Sequence, residues 1–197
     1  MPRKATVSRK TKETTIKLSV NLEGKGDFKV NTTVPFVDHM LSLMSKHGHL
    51  DLNVQAKGDT DVDYHHLIED LGIVLGEAIK IALGEKLRIR RYGEAMTPMD
   101  ETLAQVVIDL SGRPYLVYKV KFPGGSSQIQ NMPVSIFNDF FRALSNGAGM
   151  NLHINLQYGR DAHHILEAIF KGFGRALRMA SEVHPRGKGV PSTKGTL

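Results

Sequence analysis

The sequence has no cysteine and no tryptophan among its 197 residues. Without cysteine, neither disulfides nor thiolate metal sites can form, so a bound metal would need histidine, carboxylates or water. No apolar run approaches the eighteen or so residues that span a bilayer, and no apolar segment follows the basic residues after Met1. The sequence therefore predicts no membrane segment and no secretory signal and, by default, a cytoplasmic location.

Basic residues outnumber acidic ones, which gives a formal net charge of +6 and a pI near 9.5. This balance favours an anionic partner, which could be nucleic acid, an acidic membrane surface or a phosphorylated metabolite. Much of the excess lies near the two ends, at 3–12 and 186–194, where the simplest interpretation is a solvated, mobile tail. The sequence carries no nucleic-acid-binding motif and no interleaved aromatic and basic residues, so nucleic acid is not the expected partner.

Hydrophobic periodicity predicts two similar series of elements. The first is a strand at 13–22, a hairpin turn at 24–27, a returning strand at 28–33, a helix from Pro35, a strand at 50–56 and a helix at 62–83. The second is two strands within 103–122, a loop at 123–127, a helix at 134–146, a strand at 152–157 and a helix at 161–182.

This repetition predicts an α+β fold in which two pseudo-repeated strand-helix-strand-helix halves share one core, with the helices packed between the sheets. The halves cover approximately residues 10–92 and 93–183, followed by a tail at 184–197. The register between the first helices of the two halves is open by one residue, so Asp139 matches either Asp38 or His39.

The pattern His-His-x-x-Glu occurs twice, at residues 65–69 and 163–167. Residues three and four apart share a helix face, so each glutamate lies beside both of its histidines. The adjacent histidines diverge by about 100° around the axis, which favours two different ions over one shared ion. Two such helices, in one chain or across subunits, would supply four imidazoles and two carboxylates to a pair of metals.

A single histidine pair is often ordinary surface, but two copies, each after a strand and an acidic residue, favour a metal site. Ligands without sulfur suit Mn, Fe, Zn, Co or Ni, and an octahedral mixture with open positions favours Mn. Lys171 lies one turn beyond Glu167 on the same face, as a phosphate anchor or as an ordinary surface ion pair. Spacing does not decide whether Glu13, Asp100 and Glu101 belong to the site.

Several motifs together resemble the imidazoleglycerol-phosphate dehydratase family, in order and over nearly the whole chain. They are Pro35-Phe36-Val37-Asp38-His39-Met40-Leu41, Asp63-Tyr64-His65-His66-Leu67-Ile68-Glu69-Asp70, Met99-Asp100-Glu101, Asp109-Leu110-Ser111-Gly112-Arg113-Pro114, His163-His164-Ile165-Leu166-Glu167-Ala168-Ile169-Phe170-Lys171 and Pro191-Ser192-Thr193-Lys194-Gly195. The resemblance implies one domain over residues 1–197, whose tail at 184–197 binds phosphate. It implies dehydration of D-erythro-imidazole glycerol phosphate to imidazole acetol phosphate, in histidine biosynthesis.

The same resemblance implies two Mn²⁺ ions per subunit, other divalent transition metals being possible, between subunits of a trimer within a 24-subunit shell. It implies the metal ligands His39, His65, His66, Glu69, Asp139, His163, His164 and Glu167. It implies the substrate-binding residues Glu13, Arg91, Arg113, Lys171, Ser192 and Lys194, and as catalytic carboxylates Glu167, Glu13 and Glu69.

The chain departs from this pattern at two positions. Asp139 stands where many members of the family carry a further ligand histidine, and a carboxylate can also coordinate Mn. Leu43 stands where some members carry a glutamine that contacts substrate. The residue patterns alone leave three other classes open: a two-metal hydrolase, a nucleic-acid binder and a purely structural metal protein.

Overall fold

The computed structural model of the chain describes residues 3–123 and 128–197. The first half contains β1 (Lys4–Lys10), β2 (Thr14–Asn21), β3 (Phe28–Asn31), α1 (Pro35–Gly48), β4 (Asp51–Gly58) and α2 (His65–Leu83). The second half contains β5 (Tyr92–Met99), β6 (Thr102–Asp109), β7 (Tyr115–Lys119), the short pair β8 (Gln128–Ile129) and β9 (Met132–Pro133), α3 (Ile136–Ala148), β10 (Asn151–Tyr158) and α4 (Ala162–Ser181). Of the loop predicted at 123–127, only Pro123 lies within the described residues.

Each half forms a four-stranded mixed sheet with the same topology. The orders are β1-β2-β4-β3 and β5-β6-β10-β7, and in each sheet only the last pair, β3 with β4 or β7 with β10, is parallel. The hairpin predicted between 13–22 and 28–33 is therefore wrong, because β4 lies between those two strands. Residues 24–27 instead carry the chain to the sheet edge, where Asp51 Oδ1 accepts backbone hydrogen bonds from Lys25 and Asp27 at 2.8 and 3.2 Å.

The basic N-terminal segment is a strand and not the mobile tail that composition suggested. Residues 4–10 pair with β2 in an unbroken antiparallel register from Lys4 opposite Asn21 to Lys10 opposite Thr15. Ala5 is buried by this pairing, while Lys4 and Lys10 stay exposed, so the lysines solvate the edge of a strand whose other face contacts the core. The first half thus begins before residue 10.

The four helices form a layer between the two sheets, and the predicted α+β fold with two similar halves is confirmed. Helix α2 packs on β1 and β2, and α4 packs on β5 and β6, because each helix buries an apolar face against its own sheet. Across the middle of the layer, α1 packs on α4 and α2 packs on α3. No helix within residues 3–123 and 128–197 is long and apolar enough to cross a membrane.

Glycines allow these helix pairs to approach closely. A Cβ on Gly174 of α4 would lie 2.3 Å from the Met44 carbonyl oxygen of α1, and one on Gly48 would lie 2.8 Å from the Gly174 oxygen. The second pair has the same device, since a Cβ on Gly76 of α2 would lie 2.6 Å from the Leu144 oxygen of α3. Any side chain at these positions would push the helices apart.

Candidate metal centre and phosphate site

The two His-His-x-x-Glu segments lie in the first turns of α2 and α4, where an aspartate fixes each start. Asp161 caps α4 by accepting hydrogen bonds from the His163 and His164 backbone N–H groups, at 2.7 and 3.2 Å. Asp63 accepts from the His65 backbone N–H at 2.7 Å. These hydrogen bonds satisfy N–H groups that a helix start leaves free, so the chain turns into the helix at the histidines.

The register left open by the sequence is settled by the ends of α1 and α3. Ser45 Oγ donates to the Leu50 carbonyl at 2.5 Å, and Ser145 Oγ donates to the Met150 carbonyl at 2.7 Å. The two helices also end in left-handed residues at matching places, His49 and Gly149. His39 and Asp139 are therefore equivalent positions of the two halves.

A compact group of potential ligands joins α1 to α4, and we call it the α1/α4 cluster: His39, His163 and Glu167. His39 Nε2 lies 2.8 Å and His163 Nε2 lies 3.1 Å from Glu167 Oε1. One ligand atom from each residue falls within 4.8 Å of the others, a spacing that could hold one metal ion. Since both imidazoles are partly exposed while Glu167 is buried, the group opens to solvent on the histidine side.

Glu167 is held ionised by its neighbours. Burial would raise the pKa of this carboxyl group, but hydrogen bonds from Lys171 and His39 outweigh burial and lower the pKa to about 2. Lys171 Nζ lies 2.5 Å from Glu167 Oε2. Lys171 therefore stands beside the cluster, as its position one turn beyond Glu167 predicts.

The equivalent group of the other half, the α2/α3 cluster, consists of His65, Glu69 and Asp139. It is looser: His65 Nε2 lies 3.6 Å from Glu69 Oε2, and His65 Nδ1 lies 4.0 Å from Asp139 Oδ2. Glu69 is about half exposed, with 48% of its side-chain surface accessible, against 10% for Glu167. Each cluster thus takes one ligand from α1 or α3 and two from the partner helix.

The second histidine of each pair is oriented by a carboxylate. His164 Nδ1 lies 2.8 Å from Glu101 Oε2, and His66 Nδ1 lies 3.1 Å from Asp59 Oδ2. The hydrogen bond from His164 lowers the pKa of Glu101 to about 2, and these carboxylates raise the pKa of His164 and of His66. A bond at Nδ1 fixes the ring and leaves Nε2 as the metal-binding nitrogen.

Two further carboxylates face the Nε2 atoms. Glu13 Oε1 lies 4.0 Å from His66 Nε2, and Asp100 Oδ2 lies 3.8 Å from His164 Nε2. The turn that carries Glu13 is fastened to α2 through buried Asp70, which accepts from Arg9 Nε at 2.8 Å and from Thr14 Oγ1 at 2.5 Å. The position of Glu13 over His66 is therefore set by the helix that carries His66.

The other cations implied in phosphate binding form a separate group at the far end of α4. Arg91 pairs with Asp109 through Nε at 2.7 Å and Nη2 at 3.2 Å, and Nη1 donates to the Pro191 carbonyl at 3.0 Å. The pairing with Asp109 raises the pKa of Arg91, and the hydrogen bond to Pro191 holds the tail that carries Ser192 and Lys194. Arg113 is exposed and lies in the loop that follows β6. This loop starts beside Arg91, because the Leu110 N–H donates to the Arg91 carbonyl at 3.1 Å.

One chain does not bring all the phosphate-binding candidates together. Lys171 lies in the middle of α4 with its Nζ against Glu167, whereas the Arg91 backbone N–H donates to the Ala180 carbonyl, near the end of the helix. At 1.5 Å per residue Lys171 and Ala180 are about 14 Å apart along the helix, and the Lys171 side chain runs back toward Glu167, away from Arg91, so the gap is much wider than one phosphate group. The structure therefore contains two half-sites, one carrying imidazoles and carboxylates and one carrying cations.

Comparisons with known proteins identify the family. The family model described as imidazoleglycerol-phosphate dehydratase matches residues 32–177. The chain belongs to the imidazoleglycerol-phosphate dehydratase family. A family member from Geobacter metallireducens is 54% identical over 197 residues, with both chains fully covered. Another from Thermodesulfovibrio yellowstonii is 55% identical over 195 residues, covering 99% of this chain and all of the relative.

Solved structures of the family agree with the fold. The crystal structure of imidazoleglycerol-phosphate dehydratase from Staphylococcus aureus superposes with a TM-score of 0.80 at 37% identity, covering 90% of this chain and 97% of that one. The enzyme from Pyrococcus furiosus, solved in complex with (S)-C348, gives 0.83 at 36% identity, covering 97% and 100%. The chain is accordingly a carbon–oxygen lyase of histidine biosynthesis, as its motifs predicted.

Sequence reasoning missed several residues that shape this dehydratase site. Asp59 and Glu101 orient His66 and His164, and Arg9 with Asp70 anchors the turn of Glu13. Glu101 was noticed in the sequence, but spacing could not separate it from a solvated charge. A usable signal was the acidic residue placed just before the strand in each half, Glu13 before β2 and Glu101 before β6.

Proposed function

We propose that the chain removes water from D-erythro-imidazole glycerol phosphate to give imidazole acetol phosphate, and that it uses two divalent metal ions per subunit, with Mn²⁺ preferred. The observation that carries this proposal is the α1/α4 cluster, in which His39, His163 and Glu167 converge with Lys171 beside them. Two neutral imidazoles and a carboxylate fit a borderline or hard divalent ion. A cytoplasmic location remains a prediction from the sequence.

The ligands proposed for the two ions are the six residues of the two clusters together with the second histidine of each pair. They are His39, His163, Glu167, His65, Glu69, Asp139, His66 and His164. When bound, the ions would polarise the substrate imidazole, so that the poorly acidic C–H bond beside the hydroxyl-bearing carbon can lose its proton. The protein's part is to hold the imidazole ligands in one tautomer, which Asp59 and Glu101 do at Nδ1.

We assign proton transfer to Glu13 in preference to Glu167. Glu167 lies between His39 and His163 as a proposed metal ligand, and its other oxygen contacts Lys171 Nζ, so neither oxygen is free to take a proton from substrate. Glu13 is about half exposed and faces His66 Nε2 at 4.0 Å, beside a proposed ion. Glu69 and Glu167 then act as ligands.

The two half-sites favour an active site assembled between copies of the chain. Lys171 and the group formed by Arg91, Arg113, Ser192 and Lys194 are too far apart in one chain to hold the same phosphate. A neighbouring copy that places its cationic group over the α1/α4 cluster would complete the site. Metals shared between copies would then support the proposed trimer and 24-subunit shell, with an imidazole-bearing sugar phosphate as substrate and no nucleic acid or membrane partner.

Kinetics combined with metal analysis tests this assignment of roles. With Mn²⁺ present, purified protein should form imidazole acetol phosphate, lose this activity with a chelator and show no hydrolysis of generic phosphate esters. Glu13→Gln should lower kcat with metal content unchanged, whereas Glu167→Gln should lower metal content. The matched control is Glu23→Gln, an exposed carboxylate at the other end of the first sheet. Activity in verified metal-free protein would overturn the proposal.

A further inference from the structure

The two clusters occupy equivalent places in the two halves but offer different ligand atoms. The helices α1 and α3 end in the same way, which matches His39 with Asp139. The helices α2 and α4 start in the same way, which matches His65 with His163 and Glu69 with Glu167. The α1/α4 cluster therefore contains two imidazoles and one carboxylate. The α2/α3 cluster contains one imidazole and two carboxylates.

The clusters also differ in how tightly they are built. In the α1/α4 cluster the histidine nitrogens lie 2.8 and 3.1 Å from Glu167 Oε1, and the carboxylate is buried. In the α2/α3 cluster the corresponding contacts of His65 are 3.6 and 4.0 Å, and Glu69 is about half exposed. Preformed ligands lose less freedom when an ion binds, so the α1/α4 cluster starts with an advantage in affinity.

Neighbouring cations offset the carboxylate charge to different degrees in the two clusters. Lys171 contacts Glu167 and offsets its charge, whereas the equivalent position on α2 is Ile73. Near the α2/α3 cluster the cation is Arg142, which is 61% exposed and 3.9 Å from Asp139, so water screens most of its effect. The α2/α3 cluster is therefore the more anionic and more oxygen-rich of the two.

We infer that the two metal positions are unequal, with a tight, nitrogen-rich position in the α1/α4 cluster and a weaker, exchangeable position in the α2/α3 cluster that selects hard ions. Imidazole suits Zn²⁺, Co²⁺ and Ni²⁺, whereas carboxylates suit Mn²⁺ and Mg²⁺. The inference rests on the proposed function only in requiring that both clusters bind divalent ions. His66 or His164 would add one imidazole nitrogen to each metal position, so the two positions would still differ by one imidazole and one carboxylate.

Calorimetric titration of metal-depleted full-length protein with Mn²⁺ and with Zn²⁺, paired with elemental analysis after dialysis, tests this inference. Wild-type protein should show two classes of site whose dissociation constants differ at least about tenfold for Zn²⁺, since even residues behind the ligands alter metal affinity 10- to 100-fold. For Mn²⁺ the two classes should lie closer together. On dialysis against a weak chelator, about one ion per chain should leave first.

Exchanging the distinguishing residue gives the decisive comparison. Asp139→His should tighten the weaker Zn²⁺ class toward the other, and His39→Asp should weaken the tighter class toward the other. Glu85→His, which changes an exposed acid at the far end of α2, is the matched control and should leave both classes as in wild type. Two equal classes in wild-type protein would overturn the inference and leave the proposed function intact. Absence of metal binding would instead overturn the proposed function.

Discussion

The two halves of the molecule share a backbone plan and differ in how they use buried polar groups. In the first half, Asp70 of α2 lies between Arg9 of β1 and Thr14 of β2. In the second half the corresponding position on α4 is Ala168, which is fully buried. The first half thus fastens its β1–β2 turn to the helix with a charged group, and the second half fills the same space with a methyl group.

The imidazole partners differ in the same way. His66 takes its Nδ1 partner, Asp59, from the loop after β4, whereas His164 takes Glu101 from the turn between β5 and β6. In the first half this leaves the residue equivalent to Glu101, Glu13, free to face the His66 Nε2 atom. The comparison indicates that matching apolar cores maintain the repeated fold, while polar substitutions give its two halves separate tasks.

The largest expected effect tests whether both halves serve one reaction. His163→Ala and His65→Ala, one in each cluster, should each lower kcat/KM on the order of a thousandfold, because a catalytic metal supplies several kcal/mol of transition-state stabilisation. Elemental analysis of the same preparations should show the loss of about one ion per chain. A variant that kept wild-type activity would remove its cluster from the catalytic role.

Moving the buried carboxylate from one half to the other should have the next largest effect. Ala168→Asp buries a charge without the arginine that Asp70 has, and should lower the free energy of unfolding by about 3–5 kcal/mol. Asp70→Ala removes two charge-assisted hydrogen bonds and should cost about 2–3 kcal/mol. Denaturant unfolding at one fixed protein and metal concentration measures both. Equal stability of Ala168→Asp and wild type would show that the second half tolerates the charge.

Substitutions in the two half-sites for phosphate should have similar, smaller effects. Lys171→Ala and Arg113→Ala each remove one charged contact, worth about 1.5–3 kcal/mol, and should raise KM with metal content unchanged. Lys119→Ala, at the exposed end of β7, provides the control. If either substitution preserved wild-type kcat/KM, that residue would not bind the phosphate.

The smallest effect concerns the histidine–carboxylate pairs, observed by NMR in metal-free protein. The pKa of His164 is raised above 6.5 by Glu101, so the pair stabilises the fold fully between about pH 4.5 and 6.5 and loses this contribution as pH rises through the raised pKa of His164. On the acid side the contribution falls as pH approaches the Glu101 pKa of about 2. Glu101→Gln should therefore lower the titration midpoint of His164, and Asp59→Asn should lower that of His66. An unchanged midpoint would contradict the corresponding hydrogen bond.

The sequence was sufficient for features that depend on local spacing. All four helices, the repeated order and the side-by-side placement of Glu167 and Lys171 follow from residues three and four apart. Helix α2 nevertheless begins at His65, three residues later than predicted, after a turn in which Asp63 Oδ1 accepts from the His65 backbone N–H.

Features that depend on distant partners were beyond local patterns. The position of β3 at the sheet edge depends on β4, which follows a whole helix later, and a strand pattern does not specify its neighbour. The partners of Arg9 and Arg91, respectively Asp70 and Asp109, are also separated from them by long stretches of chain. The match of Asp139 with His39 required the hydrogen bonds of Ser45 and Ser145, because one-residue shifts barely alter an apolar helix pattern.

The close crossing of α1 and α4 has a consequence for how this protein can change over evolutionary time. Gly48 and Gly174 lie where backbone meets backbone, so a mutation at either one displaces the helix that carries His39 relative to the helix that carries Glu167. A substitution in one of these helices then preserves the spacing of His39 and Glu167 only if the other helix carries a compensating substitution. Lineages descending from this chain should therefore exchange residues at the α1/α4 crossing in pairs, even though the crossing itself performs no chemistry.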